Sequence, residues 1–161
     1  MLSEDPRVGI ALDELALVYS RPLARTALGE VHPTLVEPGA ETEFTYFLRP
    51  DFSRDSQGFG TIALEASVPL TFRAIAIDGV ATDAGLRLHL PARVSDAARI
   101  RLDFAATVFQ NNTRFRAFLE RESGSQTLRQ QVDPGDAAPE LDGDGVNDAL
   151  QISFDVLKVI D

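Results

Sequence analysis

Cysteine is absent from the 161 residues, and histidine occurs twice, at His32 and His89. Thiol catalysis, disulfide scaffolds and zinc fingers are therefore excluded. Tryptophan is also missing, and Phe supplies 10 aromatic residues against two Tyr. No apolar run approaches about 18 residues, so no transmembrane helix is expected. The start, Met1 to Arg7, lacks a basic stretch followed by an apolar one, so the sequence as written predicts no signal peptide. Cations are scarce: 15 Lys and Arg face 25 Asp and Glu, a formal net charge of −10. Affinity for phosphate backbones needs clustered cations, so nucleic acid is not expected as a partner.

What remains is a globular composition, with 44% hydrophobic and 25% charged residues in a chain long enough for one domain with a core. A single lysine, Lys158, stands beside 14 arginines, a skew that reads as the coding bias of a GC-rich bacterium.

Period-two alternation dominates. Phe44, Tyr46 and Leu48 share one face; Ile62, Leu64, Ala66 and Val68 share another, with Glu65 and Ser67 pointing away. Leu86, Leu88 and Leu90 alternate with Arg87 and His89. Ile100, Leu102, Phe104, Ala106 and Val108 alternate with Arg101, Asp103 and Thr107. Phe115, Ala117 and Leu119 alternate with Arg114, Arg116 and Glu120, and Ile152, Phe154 and Val156 close the series. Each run predicts a strand with one face in a core and one in water. Turn chemistry separates them at Glu37-Pro38-Gly39, Asp51 to Gly60 and Asp78-Gly79. Asn111-Asn112 predicts a tight hairpin between the Val108 and Phe115 strands. In the first 30 residues a helix face (Leu12, Leu15, Tyr19) competes with two strands joined at a slip near Asp13-Glu14, and the strand-rich surroundings favour the strands. The expectation is an all-β protein, an antiparallel Ig-like β-sandwich in the broad sense.

No nucleophile elbow, zinc-protease helix or phosphate-binding loop is present. Gly58-Phe59-Gly60 precedes a strand and reads as a loop. His89 falls on the polar phase of its strand, and His32 precedes Pro33, which favours extended backbone. A glycosidase needs two inward carboxylates, for which Glu65, Asp78 and Asp103 are the candidates. Most Phe lie on the apolar phase and read as core, whereas Phe47 and Phe118 are out of phase. These two pack on the outer face or mark a patch for a partner. No catalytic residue is expected.

Residues 140–148 read Glu-Leu-Asp-Gly-Asp-Gly-Val-Asn-Asp. Calcium takes six to eight oxygens, and acids alternating around Gly turns supply several from one loop. On an EF-hand-type spacing Glu140, Asp142 and Asp144 take positions 1, 3 and 5, Gly145 the turn, Val146 the carbonyl at 7 and Asp148 position 9. Position 12 is Gln151 rather than a bidentate Glu, and a strand follows instead of a helix. A looser Asp-rich calcium loop and a solvated Asp/Gly linker both fit.

Asp142-Gly143-Asp144-Gly145-Val146-Asn147-Asp148 and the following strand, Leu150 to Leu157, resemble the opening of FlgD-type Ig-like repeats of large bacterial surface and secreted proteins. The acidic signature is similar to thrombospondin type 3 calcium repeats. The resemblance covers about 20 residues and departs at Asp142, where such modules often carry Asn. It implies an extracellular or cell-surface protein, with calcium at Asp142, Asp144, Asn147 and Asp148. The expected organisation is a sandwich over 1–138, an acidic linker or calcium loop over 139–149, and a single strand over 150–161. That strand starts a second module, pairs with the sandwich or pairs with a neighbouring copy. The expected role is non-catalytic: a structural or adhesive module, with a filament subunit assembling by strand exchange as one form of it. A carbohydrate-binding accessory module is the alternative, and a carboxylate-based hydrolase the third reading.

Overall fold

The computed structural model describes residues 20–83, 88–111, 113–137 and 151–154. Strands follow in chain order: β1 (Thr26–His32), β2 (Leu35–Val36), β3 (Glu41–Asp51), β4 (Phe59–Ala66), β5 (Thr71–Ile77), β6 (Val80–Asp83), β7 (Leu88–Val94), β8 (Ile100–Thr107), β9 (Thr113–Ser123), β10 (Gln126–Gln131), β11 (Asp133–Pro134) and β12 (Gln151–Phe154). One sheet has the order β11-β1-β3-β8-β5-β6. The other runs β2-β12-β9-β4-β7, with β10 also paired to β9. Pairing is antiparallel except for β1 with β11 and β2 with β12. The antiparallel all-β sandwich predicted by the alternation is the observed fold. No helix occurs among the described residues, so none is long and apolar enough to cross a membrane.

The inward residues are the ones the alternation selects. Phe44, Tyr46 and Leu48 of β3, Ile100, Leu102 and Phe104 of β8, and Phe115, Ala117 and Leu119 of β9 are all buried. Phe44 and Phe104 come from one sheet and Phe115 from the other, with ring centroids 5.3–5.5 Å apart. Burying each ring contributes about 1.5–3 kcal/mol, so this trio is a principal bond between the layers.

One local expectation changes, and two strands fall outside the alternation. The hairpin at Asn111-Asn112 does not form: β8 lies in one sheet between β3 and β5, and β9 in the other beside β4. Both strands are central and draw their partners from elsewhere, so the link between them is an arch across the sandwich. Strand β1 escapes the alternation because its inward residues are Ala27, Gly29 and Val31. They are small because Tyr46 of β3 fills that space: a Cβ on Gly29 would sit 2.6 Å from the Tyr46 Cζ and 2.8 Å from Val132 Cγ1. Strand β10 escapes because it carries Gln130, whose side-chain oxygen accepts from the Leu23 and Ala24 amides at 2.7 and 3.0 Å. Its Nε2 donates to the Ala24 carbonyl at 2.9 Å, so the amide stands in for a strand residue. Of the two strands expected near the N-terminus, residues 10–19 lie outside the described residues.

Candidate functional site

Antiparallel register sets up a row of polar side chains on the outer face of the second sheet. His89 of β7 pairs with Thr61 of β4, and Thr61 with Glu120 of β9, which pairs in turn with Arg129 of β10. Side chains on adjacent strands at paired positions touch, and these do. Thr61 Oγ1 lies 3.0 Å from His89 Nδ1, and Arg129 Nε lies 3.1 Å from Glu120 Oε1. Arg129 also ion-pairs with Glu65. Its guanidinium sits 3.7 Å above the centre of the Phe118 ring, a cation–π contact. Thr61 and Glu120 are 8% and 7% exposed although they point outward, because their longer neighbours cover them.

Phe118 is thus an outer-face aromatic whose ring is capped by a cation rather than left open as a platform for a neutral sugar. Phe47, the other out-of-phase residue, is half-buried on the first sheet, in register with Glu30 and Arg101. Large apolar side chains exposed among the described residues are Leu35, Val80 and Phe109.

Beyond Phe118 along β9 the same outer phase presents Arg116 and Arg114, with Arg116 opposite Glu65. Glu65, Ala66, Ser67, Arg114 and Arg116 line an open depression of about 540 Å³. Only Glu65 of this set was a candidate on sequence; the two arginines read simply as the polar phase of a strand. Nothing in their spacing announces a depression, which depends on β4 ending at Ala66 while β9 begins earlier, at Thr113.

The three carboxylates considered for hydrolysis do not converge. Glu65 is on the outer face of the second sheet. Asp103 is on the outer face of the first, accepting from Thr45 Oγ1 at 2.8 Å and pairing with Arg101 Nε at 2.9 Å. Asp78 occupies the β5–β6 turn with φ of 49° and accepts from the Arg99 amide at 2.8 Å. Each carboxylate thus has a local structural partner. His32 is exposed at the end of β1, remote in register from His89 on the other sheet.

Arg73 and Asp51 on the first sheet are likewise paired. Arg73 of β5 reaches Glu43 at 3.1 Å and Glu41 at 3.7 Å. Asp51 accepts from Arg25, and this hydrogen bond holds its carboxyl below the usual range. Burial pushes the Tyr46 phenol well above that of a free tyrosine.

The proposed calcium ligands Glu140, Asp142, Asp144, Val146, Asn147 and Asp148 lie outside the described residues. Among the described residues no cluster of three or more His, Asp or Glu side chains could hold a metal ion. The C-terminal strand β12 bridges two strands of the second sheet: Gln151 and Ile152 pair with Arg114 and Thr113 of β9, and Ser153 and Phe154 with Leu35 and Val36 of β2. Compared with protein-family models and with curated proteins, the chain matches none.

Proposed function

We propose that the chain is a non-catalytic β-sandwich module of a bacterial extracellular surface protein, structural or adhesive in role, whose copies associate through the C-terminal strand. The observation that carries this reading is the seating of β12 across β9 and β2. A short terminal strand completes a sheet there, after a connection of residues 138–150 long enough to reach a neighbour. About 3.3–3.6 Å per residue gives that connection a reach of roughly 40 Å, more than the thickness of a sandwich. A second copy can therefore supply the same strand to the same edges, the pairing used in strand addition. The ion pairs of both outer faces support the structural side of the reading, since Arg73, Arg101 and Arg129 each link side chains rather than open a cleft.

Deleting residues 149–161 and measuring mass by light scattering tests this. The full chain is expected to gain mass with concentration and the shortened chain to stay monomeric. Monomeric behaviour in both refutes association through the strand. Calcium at residues 140–148 belongs to the same reading, and a ligand selective for the native state must raise its melting temperature. No shift between millimolar calcium and chelator reduces the segment to a linker.

A further inference from the structure

From the depression beside β9 we infer that this face binds a carboxylated saccharide, a chain of uronic-acid type. The inference deepens the adhesive reading above by naming what is adhered to. Arg114 and Arg116 stand two residues apart on the outer phase of one strand, so their stems are roughly 6.5–7 Å apart and emerge on the same side. Both are exposed, and among the described residues neither has an ion-pair partner. Arg25, Arg73, Arg101 and Arg129 each ion-pair with a neighbouring carboxylate, whereas Arg114 and Arg116 stand side by side on one depression with no such partner among the described residues.

The rest of the lining selects the ligand. Two guanidinium forks match carboxylates in bidentate geometry. Glu65 and Ser67 line the same depression and accept hydrogen bonds from neutral hydroxyls. A phosphate monoester, with about −1.5 to −2 charge, meets more repulsion from Glu65, whereas a uronic acid carries one carboxylate among several hydroxyls and suits both ends. Among the described residues the lining has no aromatic ring, and the nearest outer-face ring on β9, Phe118, is already covered by Arg129. A neutral sugar would lack its stacking platform, so the charge must supply recognition. At about 540 Å³ the depression falls within the range of small-ligand sites.

Isothermal titration calorimetry of the full chain with tetragalacturonic acid, and with its methyl ester, tests the assignment. The acid is expected to bind, with affinity falling as salt rises, and the ester to bind at least tenfold more weakly, because charge-assisted hydrogen bonds are lost. Arg114→Gln with Arg116→Gln is expected to weaken the acid at least tenfold, while Arg49→Gln, an exposed arginine on the other sheet, leaves it unchanged. Unchanged far-ultraviolet circular dichroism confirms that the double variant is folded. Equal binding of acid and ester, equal loss with Arg49→Gln, or no binding of either probe overturns the proposal. Binding that emerges only when Asp142, Asp144 and Asp148 are all changed to Asn overturns it too, because the chain's own carboxylates would then hold the arginines. None of these outcomes alters the light-scattering result, so the module reading stands or falls separately.

Discussion

Replacing Gly29 with alanine probes the tightest packing in the sandwich. The added Cβ would lie 2.6 Å from Tyr46 Cζ and 2.8 Å from Val132 Cγ1, and it would come closest to the Tyr46 hydroxyl. Tyr46 and Val132 are both fully buried, so neither can swing into solvent to make room. Overpacking of this kind costs about 1–3 kcal/mol, and contact with three atoms at once puts this site near the upper end. Restricting the unfolded chain returns about 0.4–1 kcal/mol. The net loss is about 2 kcal/mol, or roughly 4–8 °C in melting temperature for a domain of this size. Tyr46→Phe acts in the opposite direction. Among the described residues its buried hydroxyl has no hydrogen-bond partner, and removing such a group is neutral or stabilising by up to about 1 kcal/mol. Since that oxygen is the first atom the new methyl meets, the double variant should recover about 1 kcal/mol relative to the sum of the singles. Urea unfolding followed by circular dichroism measures all four forms. A neutral Gly29→Ala, or strict additivity of the two changes, would mean that the phenol does not occupy the space over Gly29.

Two further changes test other parts of the molecule. Gln130→Ala removes three hydrogen bonds to Leu23 and Ala24 and should cost about 1–3 kcal/mol in urea unfolding, with Gln130→Glu recovering only the two accepted ones. Asp51 is held below its ordinary pKa mainly by the Arg25 hydrogen bond, so its contribution is present above the unfolded-state pKa and is lost as pH falls through the folded one. Arg25→Gln should raise the Asp51 pKa in a carboxylate NMR titration and flatten that part of the acid limb; an unmoved titration would refute the pairing.

Strands β3, β4, β8 and β9 were legible because their inward residues are large and apolar and their outward ones polar. Strand β1 was not, since Tyr46 supplies the bulk that its own Ala27 and Gly29 lack. Strand β10 was not, since Gln130 satisfies backbone groups far away in sequence, a role invisible in local pattern. Which sheet each strand joins was also hidden, because alternation fixes the face of a strand and not its neighbour. The candidate site shows the same division. Glu65 and Phe118 stood out by residue type or phase, whereas the ion pair of Glu65 with Arg129 and its place opposite Arg116 are products of register across three strands.

The chain changes sheets at nearly every step, and this sets when its fold can be completed. Strand β3 pairs with β1 and β8, and β4 with β7 and β9. During synthesis from the N-terminus, β4 therefore waits without a neighbour until residues 88–94 are made, and neither sheet has its middle until residues 100–123 follow. Folding dominated by such distant pairings is slow, on the order of milliseconds to seconds. Strands β8 and β9, which carry Phe104 and Phe115 of the core trio, come after all of β1 to β7, so both sheets acquire their middles together as residues 100–123 are made.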